Sequence, residues 1–209
     1  MYYKKFIIAF LGVVRAAPHG SGPSVDAAIG IPGAFEVPVE WEHEAFMDGP
    51  LPTLNGTVQD VYRRLLEMNA DYDAHLHLDA LNIRRTELGA RVDFSNARVY
   101  CDRKTFGSAS VDGLSQGIDH LRGLGGRARS GGGPGACGRV SCSYGTGIWW
   151  CNDSKDAKTL EGWGSIADGA QKVWTSCAGR LDDGFHAGKV SGQAFHWTGW
   201  SVIVRQNDC

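Results

Sequence analysis

Six cysteines, Cys101, Cys137, Cys142, Cys151, Cys177 and Cys209, all fall in the second half of a 209-residue chain whose first 100 residues hold none. An even number confined to one region of a secreted chain implies three disulfides there. Spacing alone does not choose among the possible pairings. Each bridge contributes roughly 2–4 kcal/mol, which matters in a domain whose core is limited by its size. Zinc is not expected: no C-x-x-C pair exists, and no H-x-x-x-H follows Cys137 and Cys142. No other cofactor is indicated.

The N-terminus supplies the secretory context. Lys4 and Lys5 precede the apolar stretch FIIAFLGVV, and Val14-Arg15-Ala16 fits a small-residue cleavage site. Residues 1–16 therefore read as a signal peptide ending at Ala16. No apolar run reaches the roughly 18 residues of a membrane span, so no transmembrane segment is expected. All seven prolines but one lie in residues 18–55, with scattered glycines and acids, and little regular structure is expected there. One helix is expected over 57–69, capped by Thr57 with Asp60 three residues on and Val58, Val61, Leu65 and Met68 at helical spacing.

The dibasic pair Arg84-Arg85 follows Leu81-Asn82-Ile83 and resembles the sites cut by kexin-type proteases in fungal secretory precursors. Residues 18–85 hold 4 basic and 11 acidic residues, net −7; residues 86–209 hold 14 and 12, net +2. The expected organisation is a signal peptide (1–16), an acidic Pro/Gly-rich propeptide (17–85) and a cysteine-containing domain (86–209).

Within that last part, Val111, Leu114, Ile118 and Leu121 form one apolar stripe behind Ser110 or Asp112 as cap. A second helix after Thr159 carries Leu160, Trp163, Ile166, Ala167, Ala170, Val173, Trp174 and Cys177. Its glycines, Gly162, Gly164 and Gly169, weaken it intrinsically and leave room for a close sheet. Strands are expected over 97–101, 139–144, 148–151, 189–197 and 200–205, with hairpins at Gly145-Thr146-Gly147 and Thr198-Gly199. The fold class is α+β: a small disulfide-stabilised α/β sandwich, an antiparallel sheet with two helices on one face, preceded by a poorly ordered leader.

Chemistry is sparse. No G-x-S-x-G motif occurs, and GLGGRARSGGGPG does not match a phosphate loop. His120, His186 and His196 are the histidines of the last domain, and Asp182, Asp183 and His186 neighbour one another. A small secreted nuclease-like hydrolase using His186 or His196 is the enzymatic alternative. The binding candidates are Arg122, Arg127 and Arg129, a positive patch on a glycine-rich loop, and Trp149 or Trp150, which point to opposite faces of one strand. His75 and His77, two positions apart, are read as a surface feature. Asn55 and Asn152 begin glycosylation sequons.

The hairpin Cys142-Ser143-Tyr144-Gly145-Thr146-Gly147-Ile148-Trp149-Trp150-Cys151-Asn152-Asp153 leads to the helix Trp163-Gly164-Ser165-Ile166-Ala167-Asp168. Gly192-Gln193-Ala194-Phe195-His196 and Gly199-Trp200-Ser201-Val202-Ile203-Val204 close the domain. Over residues 97–209 this order is similar to small secreted fungal effector-like proteins of the extracellular-protein-two (Ecp-two, necrosis-inducing) type. That type is in turn similar in fold to the killer-protein-four (KP-four) toxins. The resemblance implies host-directed or competitor-directed activity without established enzymology, and a secreted monomer is expected. Its partner would be a host or competitor protein, a glycan or a membrane component, and nucleic acid is not expected.

Overall fold

The computed structural model describes residues 29–46, 49–73, 92–181 and 184–209. In chain order its first elements are β1 (Phe35–Glu36), β2 (Glu40–Glu42), β3 (Thr53–Asn55), α1 (Val58–Met68), β4 (Arg98–Tyr100), α2 (Arg103–Phe106), β5 (Ala109–Ser110), α3 (Val111–Gly123) and β6 (Arg127–Ser130). They are followed by β7 (Ala136–Ser143), β8 (Thr146–Asn152), β9 (Lys158–Leu160), α4 (Gly164–Cys177), β10 (Arg180–Leu181), β11 (Gly184–Phe185), β12 (Lys189–Val190), β13 (Gly192–His196) and β14 (Trp200–Gln206). The signal peptide with Ala16, the dibasic pair Arg84-Arg85, His75, His77, Asp182 and Asp183 lie outside the described residues.

Strand β8 organises the fold. All seven of its residues are buried, as expected of a strand covered on both faces. It pairs antiparallel with β7 through the two-residue turn Tyr144-Gly145, whose φ angles are 45° and 73°. Two left-handed residues in succession match the twist of a tight hairpin. On its other side β8 pairs antiparallel with β14. The whole sheet runs β1-β7-β8-β14-β13-β4, with β1–β7 as its parallel pair.

Side chains alternate across this sheet. Ile148, Trp150, Val202 and Val204 face the helices, where Leu114, Ile118 and Leu121 of α3 and Ile166, Ala170 and Val173 of α4 complete a buried cluster. The α3 stripe forms as expected, and both helices pack on one face; α4 begins only at Gly164, so Leu160, expected in that helix, pairs with Ala128 in β9, and Trp163 stands at the helix N-cap. Ser110 caps α3, accepting from the amides of Asp112 and Gly113. Gly169 permits the close approach: a Cβ there would lie 2.5 Å from Val202 Cγ2 and 2.8 Å from Phe94 Cζ. The fold is thus mixed α+β, with three disulfides.

The bridges are Cys101–Cys177, Cys137–Cys151 and Cys142–Cys209. The first ties the end of β4 to the last residue of α4. The second joins directly opposed residues of β7 and β8. The third fastens the C-terminal residue to β7.

Residues 29–73 depart from the expected leader. β1 extends the large sheet, and β2 sits between β3 and β6 in a second sheet of order β3-β2-β6-β9. Trp41 is fully buried and stacked on Trp163 of the cysteine-bearing part, with an interplanar angle of 16°. Helix α1 has its expected capping box, Thr57 with Asp60, and buries Val58, Val61 and Leu65 in the same cluster as α3 and α4. The composition misleads here because the prolines and glycines of 29–55 punctuate short strands, and short strands carry little periodic signal.

Two smaller differences share that cause. The glycine-rich stretch expected as a flexible loop contains β6, held between β2 and β9. The strand expected over 189–197 divides at Ser191 into β12, paired with β5, and β13, paired with β14 and β4.

Candidate binding face

The face of the large sheet opposite α3 and α4 has two halves. On one half, Trp149, Ile203 and the Cys137–Cys151 bridge lie beneath Phe106 of α2 and against Ile29, Ile31 and Ala34. Trp149 is consequently 5 % exposed and Trp150, on the helix side, 0 %. Neither is the surface platform expected from the sequence. Their opposite orientations are as expected, but residues preceding β1 cover the face that the sequence reading left open. The indole N–H of Trp149 is also committed, donating to Asn207 Oδ1 at 2.8 Å.

Among the described residues, nothing covers the other half. Arg98 lies opposite Phe195, and Tyr100 opposite Gln193, so their side chains emerge on one face. The Arg98 guanidinium sits 5.2 Å from the Tyr100 ring centroid and 5.0 Å from that of Phe195. The two rings meet edge to face at 5.7 Å. This arginine–aromatic cluster is anchored at Cys101, one residue beyond Tyr100, by the bridge to α4. Tyr100 is 50 % exposed.

A polar row runs beside it. Gln193 Nε2 donates to Ser201 Oγ at 3.0 Å, and Ser201 Oγ donates to Asp153 Oδ2 at 2.8 Å. Burial pushes the Asp153 carboxyl above its ordinary pKa, and the bond from Ser201 partly offsets this. Ser201 is fully buried. Its hydroxyl bridges Gln193 and Asp153 beneath the surface, so it serves as a buried strut of the sheet.

At the β13–β14 turn, Trp197 is 85 % exposed. Its neighbours fix the turn behind it. Lys158 Nζ donates to Thr198 O at 3.0 Å, and Trp200 Nε1 donates to Thr198 Oγ1 at 2.9 Å. The His196 ring lies among Phe94, Trp197 and Trp200, at 5.1, 5.5 and 4.9 Å. His196 Nδ1 lies 2.7 Å from Thr198 Oγ1 and accepts from the backbone N–H of Thr198 at 3.3 Å. Burial lowers the His196 pKa, Lys158 lowers it further, and Asp93 opposes both. His196 is therefore a neutral member of an aromatic stack at pH 7. His196 is a candidate from sequence and Trp197 is not, although a tryptophan at a hairpin turn is where an exposed ring is expected.

The remaining candidates lie apart from this face. His186 follows β11 in the separate β10–β11 pair, so it shares no sheet with His196. His120 lies on exposed α3 surface, 3.5 Å from Gln59 Nε2. The three arginines do not form a free positive patch, because each has an acidic partner. Arg122 pairs with Asp168 at 3.2 Å, Arg127 with Glu161 at 3.4 Å and Arg129 with Glu40 at 4.0 Å. Asn55 is exposed at the end of β3, as a glycan acceptor requires. Asn152 is fully buried, and its Nδ2 donates to Gly131 O and Asp156 O, both at 2.8 Å. A glycan on that nitrogen is incompatible with this packing, so the second sequon is a structural asparagine.

Among the described residues no helix is long and apolar enough to cross a membrane, and no group of three or more His, Cys, Asp or Glu side chains is placed to hold a metal ion. In comparisons with known proteins, no family model, no curated protein and no solved structure matches the chain.

Proposed function

We propose that this chain is a secreted, disulfide-stapled effector- or toxin-like protein, of the kind the Ecp-two and KP-four resemblance implies, which acts by binding a host or competitor target. Its contact surface is the open half of the sheet, Arg98, Tyr100 and Phe195, together with Trp197. The observation that carries this reading is the placement of exposed aromatic and arginine side chains on a rigid, cross-linked sheet. Such residues supply large contact area at low entropy cost. Three disulfides fit an oxidising, extracellular setting. In this reading maturation proceeds by signal removal and cleavage after Arg85.

The test compares the purified protein with Trp197→Ala and Tyr100→Ala variants on leaf tissue and on competitor yeast. Wild type is expected to cause necrosis or growth arrest, with both variants folded and at least tenfold weaker. His196→Gln, which keeps a hydrogen-bonding side chain at the turn, is expected to retain activity. Loss of activity in His196→Gln alone would favour the hydrolase. Inactive wild type in both assays would overturn the reading.

A further inference from the structure

A propeptide that leaves after cleavage must be able to leave. The described part of this one is not built to do so. β2 is inserted between β3 and β6, so its release would break the second sheet in two. Trp41 fills the core against Trp163, and its indole N–H donates to Gly56 O at 2.8 Å. Leu65 and Val61 are fully buried in the cluster that also holds α3 and α4. The approach of the backbone is equally tight. A Cβ at Gly138 of β7 would collide with Val39 Cγ2 and lie 2.7 Å from Val37 O. Arg205 of β14 donates to Ile29 O, tying residues ahead of β1 to the sheet.

These contacts are all non-covalent, because every cysteine of the chain lies at or beyond position 101. The chain holds two Arg-Arg pairs. Arg63 and Arg64 lie inside helix α1, where Arg63 pairs with Asp60 at 3.0 Å. A protease needs an extended substrate, and this helix denies it one. Of the two Arg-Arg pairs, Arg84-Arg85 is the one left for processing.

We infer that cleavage after Arg85 yields a two-chain protein in which residues 29–73 stay bound as a non-covalent second chain; the inference rests on the dibasic processing proposed above. The step is peptide hydrolysis. A dibasic-specific secretory endoprotease adds water across the Arg85–Thr86 bond, leaving a carboxylate on Arg85 and an ammonium on Thr86. No apolar surface is uncovered, and the working protein keeps Trp149 covered.

Two arms separate this inference from the processing on which it rests. In the first, the full secreted chain is treated with a kexin-type protease and the fragments are sequenced. A new N-terminus at Thr86 supports the processing; an intact chain overturns it. In the second, a site for an unrelated sequence-specific protease is inserted between Arg85 and Thr86 of the full chain and cut. The fragments are expected to co-elute on size exclusion at micromolar concentration, with unchanged tryptophan fluorescence, and to separate in denaturant. A Trp41→Ala version of the cut protein is expected to fall apart under the same native conditions. Separation of the cut protein without denaturant, with Trp149 emission shifted to the red, would overturn the inference whatever the first arm shows.

Discussion

Residues 29–73 and residues 92–209 build one core by different means. The second region holds all three disulfides and both helices that cover the large sheet. The first has no cross-link and is held by strand pairing and by apolar side chains placed in its partner's core. Cross-links act chiefly on the unfolded chain by limiting its freedom. Packing acts on the folded state and is lost as soon as the fit is lost. Absence of cysteines thus marks a difference in how a region is held, not whether it belongs to the fold.

The largest effect is expected where the two regions meet most closely. Trp41→Ala empties a fully buried site against Trp163 and leaves Gly56 O without its donor, so a loss of about 3–5 kcal/mol is expected in denaturant unfolding. Unchanged stability would mean the N-terminal region is an appendage. Next comes Cys101→Ser with Cys177→Ser, which opens a bridge spanning 76 residues and is expected to cost roughly 2–4 kcal/mol. Both changes should give a single unfolding transition. Separate transitions for the two regions would break the account of a shared core.

These two sites also show how legible the fold was. The α3 and α4 stripes, the β7–β8 hairpin and the capping box at Thr57 were readable because each carries a local period or a fixed offset. Trp41 was not readable, because nothing nearby in sequence announces that a tryptophan between glutamates enters a core built some hundred residues later. Strands of two or three residues such as β1, β2 and β3 are fixed by partners distant in sequence. The site was less legible still. Arg98, Tyr100 and Phe195 share a face through the pairing of β4 with β13, and no spacing along the chain encodes that register. Trp149 had the opposite fault: its strand was recognised, but its cover comes from residues 29–34.

A smaller effect sharpens the comparison at the sequons, one in each region. Asn152→Ala removes the two hydrogen bonds that this buried amide donates to Gly131 O and Asp156 O, and is expected to cost about 1–3 kcal/mol. Asn55→Gln is expected to leave stability nearly unchanged. Intact mass of protein secreted from a fungal host should show a glycan at Asn55 and none at Asn152. A glycosylated, folded Asn152 would contradict the packing described for it.

The smallest effect is electrostatic and has opposite sign in the two regions. Asp60 has its pKa lowered, first by the hydrogen bond with the Thr57 side chain, so it stabilises the fold above its unfolded pKa and loses that contribution as pH falls. Asp153 has its pKa raised by burial, so its contribution is present below the unfolded pKa and lost as pH rises through the folded value. Asp153→Asn, which still accepts from Ser201, is therefore expected to gain stability over wild type at pH 7 and to lose that advantage in acid. Asp60→Asn is expected to be less stable than wild type at pH 7 and to converge with it in acid. Thermal unfolding across pH checks both; the same sign for the two variants would refute the assignments.

The most direct test of the shared core is native-state amide hydrogen exchange on the full chain. Leu65 in α1 and Trp150 in β8 are both fully buried, one in each region. The account predicts that their slowest-exchanging neighbours require the same global opening, with equal protection and equal dependence on denaturant. If the α1 amides exchange through a smaller opening while β8 stays protected, residues 29–73 are a detachable leader, and the claim of a single core is wrong.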